Sequence, residues 1–146
     1  MAALSPEEAI ITLLEADSAV TNKVSTRIYP EYGPQNPVFP FIVYTRILAN
    51  HEHHMTAASG LVFPRIELVM FGERYMQVVN LATAVREALD GYRGTVTVGA
   101  DSLVIALCHL DNDQSAALEP SDGREMPIRS ITHDYLVAHA ESIPTF

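Results

Sequence analysis

The sequence predicts an α+β domain in which helices pack on one largely antiparallel sheet. Three features carry that expectation. Two stretches place apolar residues at helical spacing between recognisable caps. Several others alternate in twos or run continuously apolar, rich in β-branched and aromatic residues. Two of these adjoin across a short polar segment and read as a hairpin. The 146 residues suit one domain, residues 1–146, long enough to bury a core. With 48% hydrophobic and 18% charged residues the chain is too apolar to be disordered, and such an excess fits surface hidden in an oligomer.

The first element is "LSPEEAIITLLEAD". Ser5 is placed to cap a helix, Pro6 to occupy its first turn and Glu8 to complete a capping box, with Ile10, Ile11, Leu13 and Leu14 on the apolar face. Asp17 and Ser18 start a second short turn through Val20 and Val24. "TRIYP" is a brief strand ending at Pro30, and the proline-rich "PEYGPQNPVFP" that follows admits only extended or turned backbone.

"PFIVYTRILAN" reads as a strand covered on both sides, with Phe41, Val43, Thr45 and Ile47 on one face and Ile42, Tyr44 and Leu48 on the other. In "LVFPRIELVMFG", Ile66, Leu68 and Met70 share one face and Arg65 and Glu67 the other, so one face is wet or lies at an interface. Pro64 donates nothing to a ladder and implies an edge, a bulge or a strand start. A helix follows with Tyr75, Val78, Val79, Ala82, Val85 and Leu89 inward, stopped at Asp90-Gly91. "GTVTVG", "SLVIALCHL" and "IRSITHDYLVAHA" are strands, and "DNDQSAALEPSDGRE" is expected to be a polar loop.

The formal net charge of −9 supplies no basic stripe for phosphate, which excludes groove-reading contact with nucleic acid. No apolar run reaches the ~18 residues of a membrane span, and "MAALSPEEA" lacks the basic and apolar regions of a signal peptide, so synthesis in the cytosol is expected. The single cysteine, Cys108, sits in an apolar run and reads as a small core residue.

The densest cluster of titratable groups is His51, Glu52, His53 and His54, followed by Met55. On a continuing strand His51 and His53 share one face and Glu52 and His54 the other, two ligands a side where a metal wants three or four. The spacing is not the H-E-x-x-H of a helical zinc site. Three readings stay open: a polar hairpin tip at a subunit contact, a metal site completed by His109, His133 or His139, and a pH-sensitive contact. Asp111, Asp113, Ser115, Glu119 and Asp122 fall at positions of a calcium-loop template, but Ala116 stands where the turn wants glycine and the flanks are strands. No phosphate-cradling glycine loop and no Ser-His-Asp arrangement is legible, and His133 and Asp134, adjacent on a strand, point to opposite faces.

Taken in order, "TRIYP" (Thr26 to Pro30), "PFIVY" (Pro40 to Tyr44), "HH" with "SGL" (His53, His54, Ser59 to Leu61) and "ALDGYRG" (Ala88 to Gly94) resemble the tail-completion or tail-terminator proteins of long-tailed phages, prophages and gene transfer agents. The likeness covers residues 5 to 110; the segment from Asp111 to Glu125 and the ending "YLVAHAES" depart from it.

The resemblance implies a structural virion protein without catalytic residues, metal or cofactor. Such subunits form a ring, usually a hexamer, on the end of the tail tube, at the tail-neck junction of a particle built in the bacterial cytoplasm. The ring halts tube polymerisation. Its implied partners are further copies of itself, the major tail tube protein and the head-completion or stopper protein, with no membrane; DNA passes through the lumen without sequence-specific binding. Within that frame the expected contact residues are His51, Glu52, His53, His54 and Met55 at the hairpin tip, and Asp111, Asp113, Glu119 and Asp122 in the acidic segment. Two rivals remain: a small metal-dependent enzyme built on His51–His54 with His109 or His133, and a different head-tail connector component.

Overall fold

The computed structural model describes residues 4–35, 37–53, 58–118 and 128–140. The elements are α1 (Pro6–Ala16), α2 (Ser18–Val24), β1 (Ile28–Pro30), β2 (Phe41–His53), β3 (Ala58–Gly72), α3 (Tyr75–Leu89), β4 (Tyr92–Val98), β5 (Asp101–Leu118) and β6 (Ile128–Ala140). The strands form one curled sheet in the order β1-β2-β3-β6-β5-β4. Only β1 and β2 run parallel; every other neighbouring pair is antiparallel. The α+β expectation holds.

The helix boundaries follow from their caps. Ser5 Oγ accepts from the Glu8 N–H at 3.2 Å, while the second half of the capping box is replaced: the hydroxyl donates to the Glu8 carboxylate at 3.1 Å. Asp17 closes α1 and opens α2, its carboxylate accepting from the N–H groups of Ala19 and Val20. Gly91 takes φ +87° just beyond α3, where a side chain would be strained.

Period-two alternation in β3 and β6 sets the core. Ile66, Leu68 and Met70 pair with Tyr135, His133 and Ile131, and all six are buried on the side covered by helices. Helix α3 lies over β3 and β6; α1 reaches β2 and β4, and α2 packs on α1 and α3. Cys108 is fully buried in this core, and burial pushes its thiol up to about 12, so it is an unreactive core residue.

Three local expectations are corrected, and a fourth, for Pro64, is narrowed. The segment from Asp111 is not a loop as far as Leu118, because β5 continues through those residues, paired with β6. Pro64 is not at an edge: β3 is interior, Pro64 faces Ala49 of β2, and the β3–β6 ladder skips Phe63 and Pro64, where proline has no N–H to donate. Tyr75 is 56% exposed, and the buried stripe of α3 is Val78, Leu81, Ala82, Val85 and Leu89. Two-sided cover of β2 holds for Phe41, Ile42 and Val43 but ends before Arg46 and Ile47, both exposed beside a register shift.

Leu68, fully buried in the middle of this core, is a test of the packing. Leu68→Ala is expected to cost about 2–5 kcal/mol in urea unfolding. Val104→Thr, at a position 59% exposed on β5, is expected to change stability by less than about 0.5 kcal/mol.

Candidate functional site: the helix-free face of the sheet

Among the described residues the second face of the sheet carries no helix. Residues alternating with the core positions point here: Phe41, Val43 and Thr45 of β2, Arg65, Glu67, Val69 and Phe71 of β3, and Thr132, Asp134 and Leu136 of β6. The face divides into two halves along the strands.

The apolar half centres on stacked Phe41 and Phe71, ring centroids 4.9 Å apart, with Phe39 and Tyr29 against Phe41. The segment after β1 folds against these rings and borders an open groove of about 390 Å³ lined by Tyr32, Gly33, Val43 and Val69 among others. Gly33 is needed for the close approach: a Cβ there would sit 2.8 Å from the Phe41 ring. Tyr32, on the outside of this cover, is 82% exposed.

The other half is charged. Arg65 donates to Asp111 at 2.5 Å and lies 3.9 Å from Asp134, and Asn112 donates to Asp134 at 3.4 Å. Glu67 pairs across the ladder with Asp134, a like-charge neighbour. Desolvation, then repulsion from Asp134, push the Glu67 carboxyl above the usual range. Arg65 thus bridges Asp111 and Asp134, and with Glu67 beside them the half-face keeps an acidic excess.

Beneath it, on the helix side, His133 is 2% exposed between the Tyr135 hydroxyl at 3.0 Å and Asp113 at 3.4 Å. Burial holds its imidazole below the usual value, against the opposing pull of Asp113. His133 and Asp134 do point to opposite faces, as strand geometry requires.

The sequence candidates are distributed as follows. His51, Glu52 and His53 lie on the last turn-ward residues of β2, and Asp111 and Asp113 on β5, on opposite faces of that strand. His54, Met55, Glu119 and Asp122 lie outside the described residues. Among the described residues no three His, Cys, Asp or Glu side chains converge on a possible metal position. The pairing of Arg65, Glu67 and Asp134 was not singled out in advance. Its signal was present in the polar alternates of β3, but their partners on β6 lie about seventy positions away and depend on register.

A one-domain α+β subunit with one helix-covered and one bare sheet face is a fold found in virions. The chain is similar in structure to a chain described as "Virion of native gene transfer agent (GTA) particle", with a TM-score of 0.68 at 15% identity, over 93% of this chain and 95% of that one. No curated protein matches it in sequence. The family model "Tail completion protein gp17" matches residues 8–115, and the chain belongs to that family: it is a structural phage tail protein and a component of the virion. No described helix is long and apolar enough to cross a membrane.

Glu67 offers a test of the charged half-face. Because its folded carboxyl binds a proton more readily than the unfolded one, its contribution to stability falls as pH rises from the ordinary carboxyl range through the raised value. Glu67→Gln is therefore expected to raise stability at pH 7 by on the order of 0.5 kcal/mol, with the gain shrinking toward pH 4 in thermal melts. A loss at pH 7 would show that Glu67 is held favourably by Arg65.

Proposed function

We propose that this protein closes the end of the tail tube as a ring, stops its polymerisation and presents the surface on which the head-completion complex docks, with DNA passing through the lumen. The observation that carries the reading is membership of the tail-completion family over residues 8–115, a span that takes in nearly all of the helical layer and most of the sheet. The hexamer implied by the sequence resemblance is part of the proposal.

The two halves of the helix-free face suit the two surfaces a ring needs. Apolar area around Phe41, Phe71 and exposed Tyr32 suits protein contact, since burying such groups releases about 25 cal/mol per Å². The acidic excess at Glu67, Asp111 and Asp134 suits a channel wall, because like charge keeps DNA from adhering within a screening length of ~8 Å. His51–Met55 and the acidic positions Asp111, Asp113, Glu119 and Asp122 are proposed as the projecting contacts to neighbouring subunits, tube or head connector. No covalent step is required of any residue in this role.

Particles assembled without this protein are expected to show tails of irregular, excess length or tails without heads in negative-stain electron micrographs. Normal tails joined to heads in its absence would overturn the proposal.

A further inference from the structure

The sheet has two incomplete edges, and they are complementary. β4 pairs only with the first part of β5, through Cys108. Immediately after, Asp90 accepts from the Leu110 N–H at 3.0 Å and the Gly91 N–H donates to Cys108 O at 2.7 Å, which closes that end. From Asp111 to Leu118 the outer edge of β5 has no partner strand among the described residues. At the opposite side β1 pairs with Ile42 to Tyr44 alone, so from Thr45 to His53 the outer edge of β2 is equally open among the described residues. Neither stretch contains a proline or a lysine, the residues that commonly blunt an edge.

The open stretches lie at opposite ends of the sheet. Following the ladders across, the open part of β5 is level with Glu67 to Gly72 of β3, centred on Met70, whereas the open part of β2 is level with Ala58 to Glu67, centred on Pro64. They also run in opposite directions, because β2, β3, β6 and β5 alternate. A second copy set beside the first and displaced along the strands therefore brings its β2 edge onto the open β5 edge as an antiparallel pair. β4 of the first copy and β1 of the second then lie at the two ends of the joint and do not collide.

The displacement has a consequence for closure. It is about six residues, or roughly 20 Å along the strand, over four strands that together span about 19 Å. That stagger tilts the strands by roughly 45°, close to the tilt that lets a sheet close on itself.

We infer that β5 of one copy pairs through Asp111–Leu118 with Thr45–His53 of β2 in the next, so that the subunits join head to tail into one continuous, tilted sheet. The contact is heterologous and must close into a ring or continue as a filament. In one register His53 lies beside Asp111, His51 beside Asp113 and Ala49 beside Ser115, which brings the two clusters singled out in the sequence onto one joint. This pairing rests on the ring reading above but fixes which surfaces make the ring.

The test is amide hydrogen exchange on the wild-type protein, as dilute monomer and as ring or tail-bound assembly, with covalent trapping as a second measurement. Amides on the outer edges of 45–53 and 111–118 are expected to slow by at least about tenfold on assembly. Ala49→Cys with Ser115→Cys in one chain is expected to give a disulfide-linked ladder of oligomers, and the two single variants mixed to stop at covalent dimers; buried Cys108 does not interfere. Rings that form with both edges still exchanging and no ladder overturn the edge pairing while leaving the ring. Protection of one edge only overturns it in favour of a strand from another protein. Absence of any ring, free or on tubes, overturns both.

Discussion

The pairing of β3 with β6 is the constraint on which the rest depends. Those two strands occupy the middle of the sheet, and their register puts Ile66, Leu68 and Met70 opposite Tyr135, His133 and Ile131 under α3. A slip of one residue would exchange this set for Arg65, Glu67 and Asp134, placing charged side chains beneath an apolar helix. The helix-covered core and the bare, charged face are therefore two results of one register. The core fixes the pairing, and the pairing assembles the outer face without any residue there having to stabilise the fold.

The same constraint explains how the charged half-face is tolerated. Its groups are only partly removed from water, and Arg65 bridges two of the three acids. Partly exposed ion pairs of this kind contribute less than about 1 kcal/mol, so they shape the surface more than they secure the domain. The apolar half is different in kind: Phe41 is held by Phe71, Phe39 and Tyr29, and the cover folded over it approaches closely only because position 33 is glycine.

Much of the fold was legible because its signals are local. The Ser5 cap, the Asp17 junction, the Gly91 stop and the alternation of Ile66, Leu68 and Met70 each act within a few residues. What was missed depends on distant partners. "DNDQSAAL" is polar enough to read as a loop, yet it is held as strand by β6, from Asn112 opposite Asp134 to Leu118 opposite Ile128. Pro64 suggests an edge when its own chemistry alone is considered, but a gap in one ladder accommodates it in the interior. At the candidate site the histidine and aspartate clusters were visible as composition, whereas the Arg65–Asp111–Asp134 network requires the order β3-β6-β5, which no single segment encodes.

Among the described residues the interior is filled and two strand edges are open, as suits this protein's proposed role of joining others at the end of a tail. The most direct measurement is its position on the particle. Antibody or gold labelling of assembled virions, imaged by electron microscopy, is expected to mark a single collar at the junction of tail and head. Label distributed along the tube, or confined to the tail tip farthest from the head, would contradict the tail-end assignment.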